Sequence, residues 1–315
     1  METLSEQQVE RWLDPGQCIA ALEKAFRENY PGVRMPTRTQ LPAGDRGVLL
    51  LMPCFDPALP GMGVKLVTVA EQADATGERV HATYVLFDPQ TIAPRLLLAA
   101  RRLTEIRTAA TSALATKFLA RPGARVLGVF GCGRQARAHL RILPLVRSFE
   151  RLLVCGSDPA QTQQFANEIG SELKVKVEAA DARACVEQSD VICTCTTACE
   201  PLFDGAWVRP GTHLNLVGAF QPEAREVDDA TIQRARVVVD TYDGALAESG
   251  DLLIPLRRGV ISREHLAADL HQLVCGGKPG RSSLEEITVF KSLGCALEDL
   301  VAANLVAEAM GSSKP

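Results

Sequence analysis

The stretch from Arg125 to Ala136 constrains the fold more than any other part of the sequence. Residues 125–130, which are uncharged after Arg125, have the pattern of a buried strand. They pass directly into Gly131-Cys132-Gly133-Arg134-Gln135-Ala136 and then into a helical pattern. In such a strand–turn–helix unit the first glycine permits a tight turn, and the second lets a pyrophosphate approach backbone N–H groups at the helix N-terminus. We therefore predict a dinucleotide site whose cofactor-binding residues include Gly131, Gly133, Arg134, Gln135 and Ala136.

A regular alternation of strand-like and helix-like segments follows this turn. The spacing is typical of right-handed βαβ units in a parallel sheet. The predicted strands cover residues 125–130, 151–155, 174–177, 191–194, 213–217 and 237–240, and the predicted helices cover residues 136–146, 160–170 and 180–188. The fold class is therefore α/β, with a Rossmann-type doubly wound parallel sheet.

The sequence before this region has a different pattern of helix-like and strand-like segments. Residues 5–30 have helical spacing with a break at Asp14-Pro15, and turns rich in Pro and Gly separate three β-like runs at 48–52, 63–69 and 83–87. A helical pattern at 104–119 links this part to the parallel-sheet region, and a last helix at 292–310 is expected to pack back on the first part. We predict an N-terminal α+β domain of residues 1–112 with 290–315, and a dinucleotide-binding domain of residues 113–289.

Charge and apolar content exclude several function classes. Lys and Arg number 34 against 38 Asp and Glu, and no run of like charges could follow a phosphate backbone, so nucleic acid is not an expected partner. No apolar run reaches the roughly 20 residues of a membrane helix. The N-terminal residues carry acids where an export signal needs a basic region, so we expect a cytoplasmic protein.

The cysteines fit the same compartment. Ten cysteines in a chain without an export signal are expected to be free thiols rather than a disulfide framework. Cys193, Cys195 and Cys199 lie close together in the sequence, but this spacing supplies no second pair of ligands. We predict no metal site.

The end of the second predicted strand bears on cofactor choice. A site that prefers NAD usually places an acid there, about 20 residues after the glycine turn, to bind the ribose 2′-hydroxyl. The sequence at this point is Gly156-Ser157-Asp158-Pro159, and an Asp before Pro is also a common helix N-cap. We favour the capping role for Asp158, which leaves Ser157 and Arg134 to contact a 2′-phosphate and favours NADPH over NADH. Both Ser157 and Asp158 remain cofactor-binding candidates.

Four basic side chains in the first domain are candidates for chemistry. Lys65 interrupts an apolar strand, where burial would lower its pKa and make it a useful acid or substrate anchor, although a lysine facing solvent fits the pattern equally well. Arg38 and Arg107 are capable of clamping a carboxylate in a bidentate manner, and each alone fits a surface position. His81 heads an alternating strand and is a second candidate proton donor.

Five separated blocks resemble the ornithine cyclodeaminase/mu-crystallin family. They are GVKLVTV around Lys65, LTEIRTAATSALATKFLARPGA around Arg107, the GVFGCGRQA turn, WVRPGTHLNLVGAFQPEAREVDD and ITVFKSLGCALEDL, all in the family's order. The resemblance runs from about residue 36 to residue 302. It implies a homodimer whose first domain supplies the substrate pocket and the dimer interface, beside a Rossmann domain.

The resemblance also implies roles for individual residues. Arg38, Lys65 and Arg107 match the positions that grip the substrate carboxylate, and Lys65 gains a catalytic role. Further positions are implied to contact the cofactor or close the pocket. The implied cofactor contacts are Thr108, Asn215, Val217, Gly218 and Ser292, and Leu293 is implied to contact the substrate.

Two departures from the family pattern narrow the expected substrate. Ornithine cyclodeaminases of this family carry a glutamate where this chain has Leu50 and an aspartate where it has Phe220. Without these acids the distal ammonium of ornithine would be buried without a partner. The pattern is similar instead to members that reduce cyclic ketimines. We therefore expect NAD(P)H-dependent reduction of Δ1-pyrroline-2-carboxylate to L-proline and of Δ1-piperideine-2-carboxylate to L-pipecolate. The alternatives are an alanine dehydrogenase or another imino-acid reductase, an ornithine cyclodeaminase, and a non-catalytic ligand-binding protein.

Overall fold

The computed structural model describes residues 1–75 and 77–312. The chain divides into two compact units. The first unit is Met1–Thr108 together with the C-terminal segment that begins at Gly294, and the second unit is Ala109–Leu293. The boundaries expected from the sequence, after residues 112 and 289, each differ from these by four residues.

In its described residues, the first unit contains six strands, two N-terminal helices, the start of a long helix and the C-terminal helix. The strands are β1 (Glu2–Leu4), β2 (Thr39–Pro42), β3 (Gly47–Phe55), β4 (Met62–Ala70), β5 (Val80–Phe87) and β6 (Pro94–Ala99). The helices are α1 (Glu6–Trp12), α2 (Pro15–Lys24), α3 (Arg101–Leu119), which continues into the second unit, and α11 (Ala296–Ser312). A π-helical turn at Ala25–Asn29 extends α2.

These strands form one sheet in the order β1-β6-β5-β4-β3-β2. All pairs are antiparallel except β1 with β6. The residues that alternate onto one face of β3, β4 and β5 are buried, and α11 packs on these three strands. The predicted antiparallel sheet and the return of the C-terminal helix to the first part of the chain are therefore confirmed.

The break between the first two helices has a clear local cause. Ser5 caps α1 through a capping box with Gln8, and Asp14 caps α2 by accepting a hydrogen bond from the Gln17 backbone N–H at 2.8 Å. Pro15 occupies the first turn of α2, where a missing N–H costs nothing. The predicted pair of short helices is confirmed.

The second unit is built on eight parallel strands in the order β13-β12-β14-β11-β10-β7-β8-β9. The strands are β7 (Val126–Phe130), β8 (Arg151–Cys155), β9 (Val177–Ala179), β10 (Val191–Thr194), β11 (His213–Leu216), β12 (Ala235–Val239), β13 (Leu266–Asp269) and β14 (Ile287–Lys291). The helices are α4 (Arg134–Ile142), α5 (Pro159–Leu173), α6 (Ala182–Gln188), α7 (Asp229–Arg234), α8 (Tyr242–Glu248), α9 (Gly250–Arg257) and α10 (Leu270–Val274). Short 3-10 turns occur at Leu143–Leu145, Gly205–Trp207 and Arg263–His265.

The strand order reverses at β7, which has β8 on one side and β10 on the other. In open parallel sheets a ligand binds outside the carboxyl ends of the strands at such a switch point. The glycine turn begins directly after β7, so the fold places it where the predicted dinucleotide would bind. The Rossmann-type sheet is confirmed.

Two sequence-based assignments in this unit were wrong. The strand predicted at 174–177 begins only at Val177, because α5 runs to Leu173 and Lys174 ends it in the left-handed conformation. The boundary predicted at residue 290 cuts through β14, which pairs with both β11 and β12 inside the parallel sheet. Only after this strand does the chain pass back to the first unit.

None of the helices in the described residues combines the length and apolar character needed to cross a membrane.

Candidate active site

The glycine turn has the backbone that a dinucleotide site requires. Gly131 has φ of +106°, and a Cβ there would lie 2.5 Å from the Cys195 carbonyl oxygen. Gly133 is the N-cap of α4, and a Cβ there would meet no atom within 4 Å. Open space at Gly133, directly before the helix N-terminus, leaves room for a phosphate to reach backbone N–H groups. The turn therefore fits a pyrophosphate group.

A cleft of about 630 Å³ lies along this turn. Its walls come from the segments that follow β7, β8 and β10, and they include Gly131, Cys132, Gly133, Gly156, Ser157, Asp158, Thr196, Thr197 and Ala198. Ligand sites for small molecules and cofactors commonly have volumes of about 300–1,000 Å³. The cleft thus has the size and position expected for part of a dinucleotide.

The remaining residues of the predicted motif lie on α4. Arg134 is exposed at the first helical position, and Ala136 is fully buried, as close packing of the helix on the sheet requires. The side-chain oxygen of Gln135 is buried and has no hydrogen-bond partner among the described residues.

The structure supports the capping role that the sequence favoured for Asp158. Its Oδ1 accepts a hydrogen bond from the Gln161 backbone N–H at 2.9 Å, and Pro159 opens α5. Asp158 and Ser157 are both exposed on the cleft wall. The capping bond engages one carboxylate oxygen of Asp158, so a ribose hydroxyl would compete with the cap for this side chain.

The positions implied for the nicotinamide end lie at and after β11. Val217 and Gly218 directly follow this strand, and the Gly218 backbone N–H donates to Thr194 O at 3.1 Å. Asn215 is completely buried, and its amide donates to Thr116 Oγ1 at 3.0 Å and to Cys193 Sγ at 3.6 Å. The expectation that the Asn215 side chain lines the cofactor site is therefore corrected, since its amide holds β11 to its neighbours.

Three further candidates lie near the ends of their units. Ser292 is buried in the second unit, and its hydroxyl has no hydrogen-bond partner among the described residues. The Leu293 backbone N–H donates to Asp240 Oδ2 at 2.6 Å, and its side chain packs against the core of the same unit. Thr108 is a buried residue of α3, the last one in the first unit.

In the first unit, Lys65 is a buried ammonium group rather than a surface one. The strand β4 places it on the inward face, where 2% of its side chain is exposed, and its Nζ donates to Asp299 Oδ1 at 2.8 Å. Burial and then the charge of Arg107 lower the pKa of Lys65, Asp299 opposes both effects, and the resulting pKa is about 8. Lys65 can therefore change protonation near neutral pH.

Arg107 joins the same cluster through two buried carboxylates. Its Nε donates to Asp299 Oδ1 at 2.8 Å and its Nη1 donates to Glu298 Oε2 at 2.7 Å. These acids raise the pKa of Arg107 above its ordinary value despite burial, so this side chain stays a cation. Arg38 donates from Nη2 to the Gly294 carbonyl at 3.1 Å, and its charge lowers the pKa of Lys65. The structure thus brings Arg38, Lys65 and Arg107 together as the resemblance implied.

The charged groups of this cluster suggest what it can bind. Three cations, Arg38, Lys65 and Arg107, lie together with two carboxylates, Glu298 and Asp299. Buried charge is costly unless it is compensated. Cations grouped in this way can bind the carboxylate of a ligand.

His81 does not join this cluster. In the register of β4 with β5, Lys65 pairs with Tyr84 and His81 pairs with Thr68. Because side chains alternate between the faces of a sheet, His81 lies on the face opposite to Lys65. Its ring is half-exposed, with Nε2 at 3.3 Å from Asp74 Oδ2. The expectation that His81 supplies a proton at the same site is corrected.

Glu298 and Asp299 are site residues that the sequence reasoning missed. Both are completely buried in α11, whose other residues are mostly apolar. Two adjacent acids in an apolar helix are themselves a signal, because buried carboxylates require cationic partners. The sequence did not indicate which cations these were.

No disulfide or metal centre accompanies these groups in the described parts of the chain. All ten cysteines are free thiols, as expected. Among residues 1–75 and 77–312, no three His, Cys, Asp or Glu side chains are grouped so as to hold a metal ion.

The model of the ornithine cyclodeaminase/mu-crystallin family matches residues 1–314. The chain belongs to this family. The rat ketimine reductase mu-crystallin is 39% identical over 297 residues, which cover 94% of this chain and 91% of the rat protein.

Two solved structures of the ornithine cyclodeaminase/mu-crystallin fold are similar over almost the whole chain. Thermococcus litoralis Δ1-pyrroline-2-carboxylate reductase, solved with NADH and L-proline, has a TM-score of 0.95 and 37% identity, covering 99% of this chain and 98% of that one. An archaeal alanine dehydrogenase dimer with bound NAD has a TM-score of 0.93 and 29% identity, covering 99% of this chain and 96% of that one. Both neighbours bind a nicotinamide dinucleotide.

Proposed function

We propose that this protein is an NAD(P)H-dependent reductase of cyclic ketimines that converts Δ1-pyrroline-2-carboxylate to L-proline and Δ1-piperideine-2-carboxylate to L-pipecolate. The observation that carries the proposal is the grouping of the partly buried Arg38 with the buried Lys65 and Arg107. A cyclic imino acid has one carboxylate for these cations to bind. The similar Thermococcus protein binds L-proline, the product of the proposed reaction.

The groups of the first unit perform the acid chemistry in this proposal. Arg38 and Arg107 orient the substrate carboxylate, which lowers the barrier mainly by fixing the imine in a reactive position. The bound nicotinamide supplies the hydride that forms the new C–H bond at the imine carbon. Lys65 gives a proton to the imine nitrogen and becomes a neutral amine, and Asp299 holds its Nζ in place until solvent returns the proton.

The absence of acids at two positions supports a ketimine over ornithine. Leu50 is buried on the inward face of β3, and Met52, two residues further on, pairs with Lys65. Phe220 follows β11 in the second unit and is 36% exposed. Neither side chain can balance the distal ammonium of a diamino acid.

For the cofactor we propose use of both NADH and NADPH with a modest preference for NADPH. Asp158 is engaged as the cap of α5, so it is less available to a ribose 2′-hydroxyl. Ser157 and the exposed cation Arg134 are suited to a 2′-phosphate.

We also propose a homodimer formed through the outer face of the six-stranded sheet. Many of the side chains that alternate onto this face are apolar yet only partly buried, among them Leu51, Val64, Leu66, Val85 and Leu97. A contiguous apolar face of this kind marks an interaction surface. The archaeal alanine dehydrogenase of similar fold is a dimer.

We place the protein in the cytoplasm. Its ten free thiols fit a reducing compartment, and reduced nicotinamide would be its co-substrate.

A substrate panel tests the proposal. The oxidation of NADPH and NADH is followed with Δ1-pyrroline-2-carboxylate, with Δ1-piperideine-2-carboxylate and with pyruvate plus ammonium, and L-ornithine is tested with NAD⁺. We expect kcat/KM to be highest for the two cyclic ketimines. Faster turnover of pyruvate plus ammonium would identify an alanine dehydrogenase instead, and no turnover of any compound despite NADH binding would indicate a ligand-binding protein.

A further inference from the structure

Glu226 is a completely buried carboxylate in the second unit with five hydrogen-bond donors. Thr194 Oγ1 at 2.7 Å, Gly218 N at 2.7 Å and Ala219 N at 3.3 Å donate to Oε2. The backbone N–H and the hydroxyl of Thr196 donate to Oε1 at 2.9 and 2.8 Å. Two segments of chain, one after β10 and one after β11, are therefore joined by a single side chain.

Both segments lie at the carboxyl edge of the parallel sheet, where a dinucleotide binds. Thr196 is part of the cleft wall that faces the glycine turn. Gly218 approaches that segment so closely that a Cβ would lie 2.1 Å from the Thr196 carbonyl oxygen and 2.4 Å from Glu226 Oε1. The distance between the two segments is thus determined at Glu226.

A buried ion pair holds the backbone of Glu226 itself. Asp251 Oδ1 accepts from the Glu226 N–H at 2.8 Å and from the Val227 N–H at 3.2 Å. Lys291, the last residue of β14, donates to Asp251 Oδ2 at 2.9 Å and to the Ala219 carbonyl at 2.5 Å. Neither charged side chain is exposed to more than 1%. The carboxylate therefore has little freedom to move.

An amide cannot replace this carboxylate in either orientation. Each oxygen of Glu226 accepts at least one backbone N–H, from Thr196 on one side and from Gly218 on the other. The hydroxyls of Thr194 and Thr196 can rotate to accept, but a backbone N–H cannot. The NH₂ group of a glutamine would oppose a backbone donor whichever way it was turned.

We infer that Glu226 is a positioning residue for the dinucleotide, which fixes the Thr196 segment and the Gly218 turn at the separation that cofactor binding needs. The inference rests on the proposed function insofar as the ligand is a nicotinamide dinucleotide. It assigns Glu226 to cofactor affinity and leaves the proton donor of the first unit unaffected.

Asp190 provides a matched control. It is also a buried carboxylate that bridges backbone donors, accepting from Arg125 N at 2.7 Å and Val126 N at 3.0 Å. It precedes β10 and so lies at the amino edge of the same sheet, away from the cofactor edge. D190N therefore disturbs a comparable network without touching the proposed cofactor contacts.

The test compares the full-length wild type, E226Q and D190N by NADH fluorescence titration and thermal unfolding. We expect E226Q to raise the Kd for NADH about tenfold or more, because a glutamine leaves one buried backbone N–H without an acceptor and so displaces one of the two segments. D190N is expected to lower Tm and leave that Kd within about twofold of wild type. In E226Q the pH midpoint of ketimine reduction should not move, because Lys65 sets it in the first unit. A folded E226Q with the wild-type Kd would overturn the inference.

A second variant keeps the test decisive if E226Q fails to fold. E226D retains the negative charge beside the ion pair of Lys291 and Asp251. Its side chain is one methylene shorter, so its carboxylate cannot reach both segments. We expect its Kd for NADH to rise as well, and a wild-type value would overturn the inference. Failure of the proposed function has a different signature, since wild type and E226Q would then still differ in NADH affinity while no ketimine was reduced.

Discussion

The Nζ atom of Lys65 lies 2.8 Å from Oδ1 of Asp299, and neither side chain is exposed by more than 2%. The two residues are separated by 234 positions in the chain. This contact holds a proton donor with a pKa of about 8 on the inward face of an antiparallel sheet. It determines what we expect of variants at Lys65 and at Asp299.

Replacement of Lys65 by alanine should lower kcat for ketimine reduction by about 10²–10⁴-fold, the usual contribution of a positioned general acid. The Kd for NADH should remain at the wild-type value, because the glycine turn belongs to the other unit. Stopped-flow turnover and fluorescence titration measure the two quantities. Lys176→Ala, whose side chain is 81% exposed, is the control. Turnover of Lys65→Ala near that of the control would remove Lys65 from the mechanism.

The pH profile should report the ionisation of Lys65. Protonated Lys65 is the active form, so kcat/KM should fall as pH rises through about 8. In Asp299→Asn the charge that raises the pKa of Lys65 is lost while burial and Arg107 still lower it, so the midpoint should move to lower pH. Ionisation of the ketimine is the same for both enzymes and cancels in the comparison. An unchanged midpoint in a folded variant would assign the titration to another group.

Asp299→Asn should also be less stable than wild type. It removes the carboxylate that the two buried cations Lys65 and Arg107 share. Breaking a buried ion pair from one side costs about 3–5 kcal/mol. Urea unfolding measures the loss, and a change below about 1 kcal/mol would mean that the cluster rearranges around the amide.

Two glycine substitutions should separate folding of the turn from cofactor binding. Gly133→Ala places a methyl group in open space with an ordinary φ of −94°, so Tm should stay within about 2 °C of wild type while NADH affinity falls. Gly131→Ala requires a positive φ and a contact of 2.5 Å with Cys195 O, so both Tm and affinity should fall. Unchanged NADH affinity in Gly133→Ala would contradict the position assigned to the pyrophosphate.

Arg134 should distinguish the two cofactors. Arg134→Ala removes an exposed cation at the start of α4, so KM for NADPH should rise about fivefold or more while KM for NADH changes little. Steady-state kinetics with each cofactor measures the ratio. Arg183, which is 65% exposed on α6, provides an alanine control. An equal rise for NADH and NADPH would show that Arg134 does not read the 2′-phosphate.

The proposed dimer should depend on the outer face of the six-stranded sheet. Leu66→Asp buries a carboxylate in that interface and should shift the protein from dimer to monomer in light scattering after gel filtration. Leu145→Asp alters an exposed leucine of the second unit and should leave the dimer intact. A Leu66→Asp protein that remained dimeric at micromolar concentration would exclude this face.

Local sequence determined much of the second unit and the cofactor turn. The strand–glycine–helix pattern fixes β7 and α4, because each depends on residues within a few positions of one another. The cap at Asp158 follows in the same way from Asp before Pro. Lys174 shows the limit of such reasoning, since it ends α5 with a positive φ at the position where the predicted strand was expected to begin.

Only the tertiary structure decided which charges meet. The sequence supplied Lys65 and Arg107 as candidates, and it placed two acids in an apolar helix. One of these acids, Asp299, pairs with cations that lie 192 and 234 positions away in the chain, so the pairing depends on how α11 packs on the sheet. Strand register separated His81 from the Lys65 cluster. Tyr84 pairs with Lys65, and His81, three residues before Tyr84 on the same strand, points to the opposite face of the sheet. Sequence thus determined which functional groups the chain carries, and packing decided which of them share a low-dielectric interior, where position and charge balance set their chemistry.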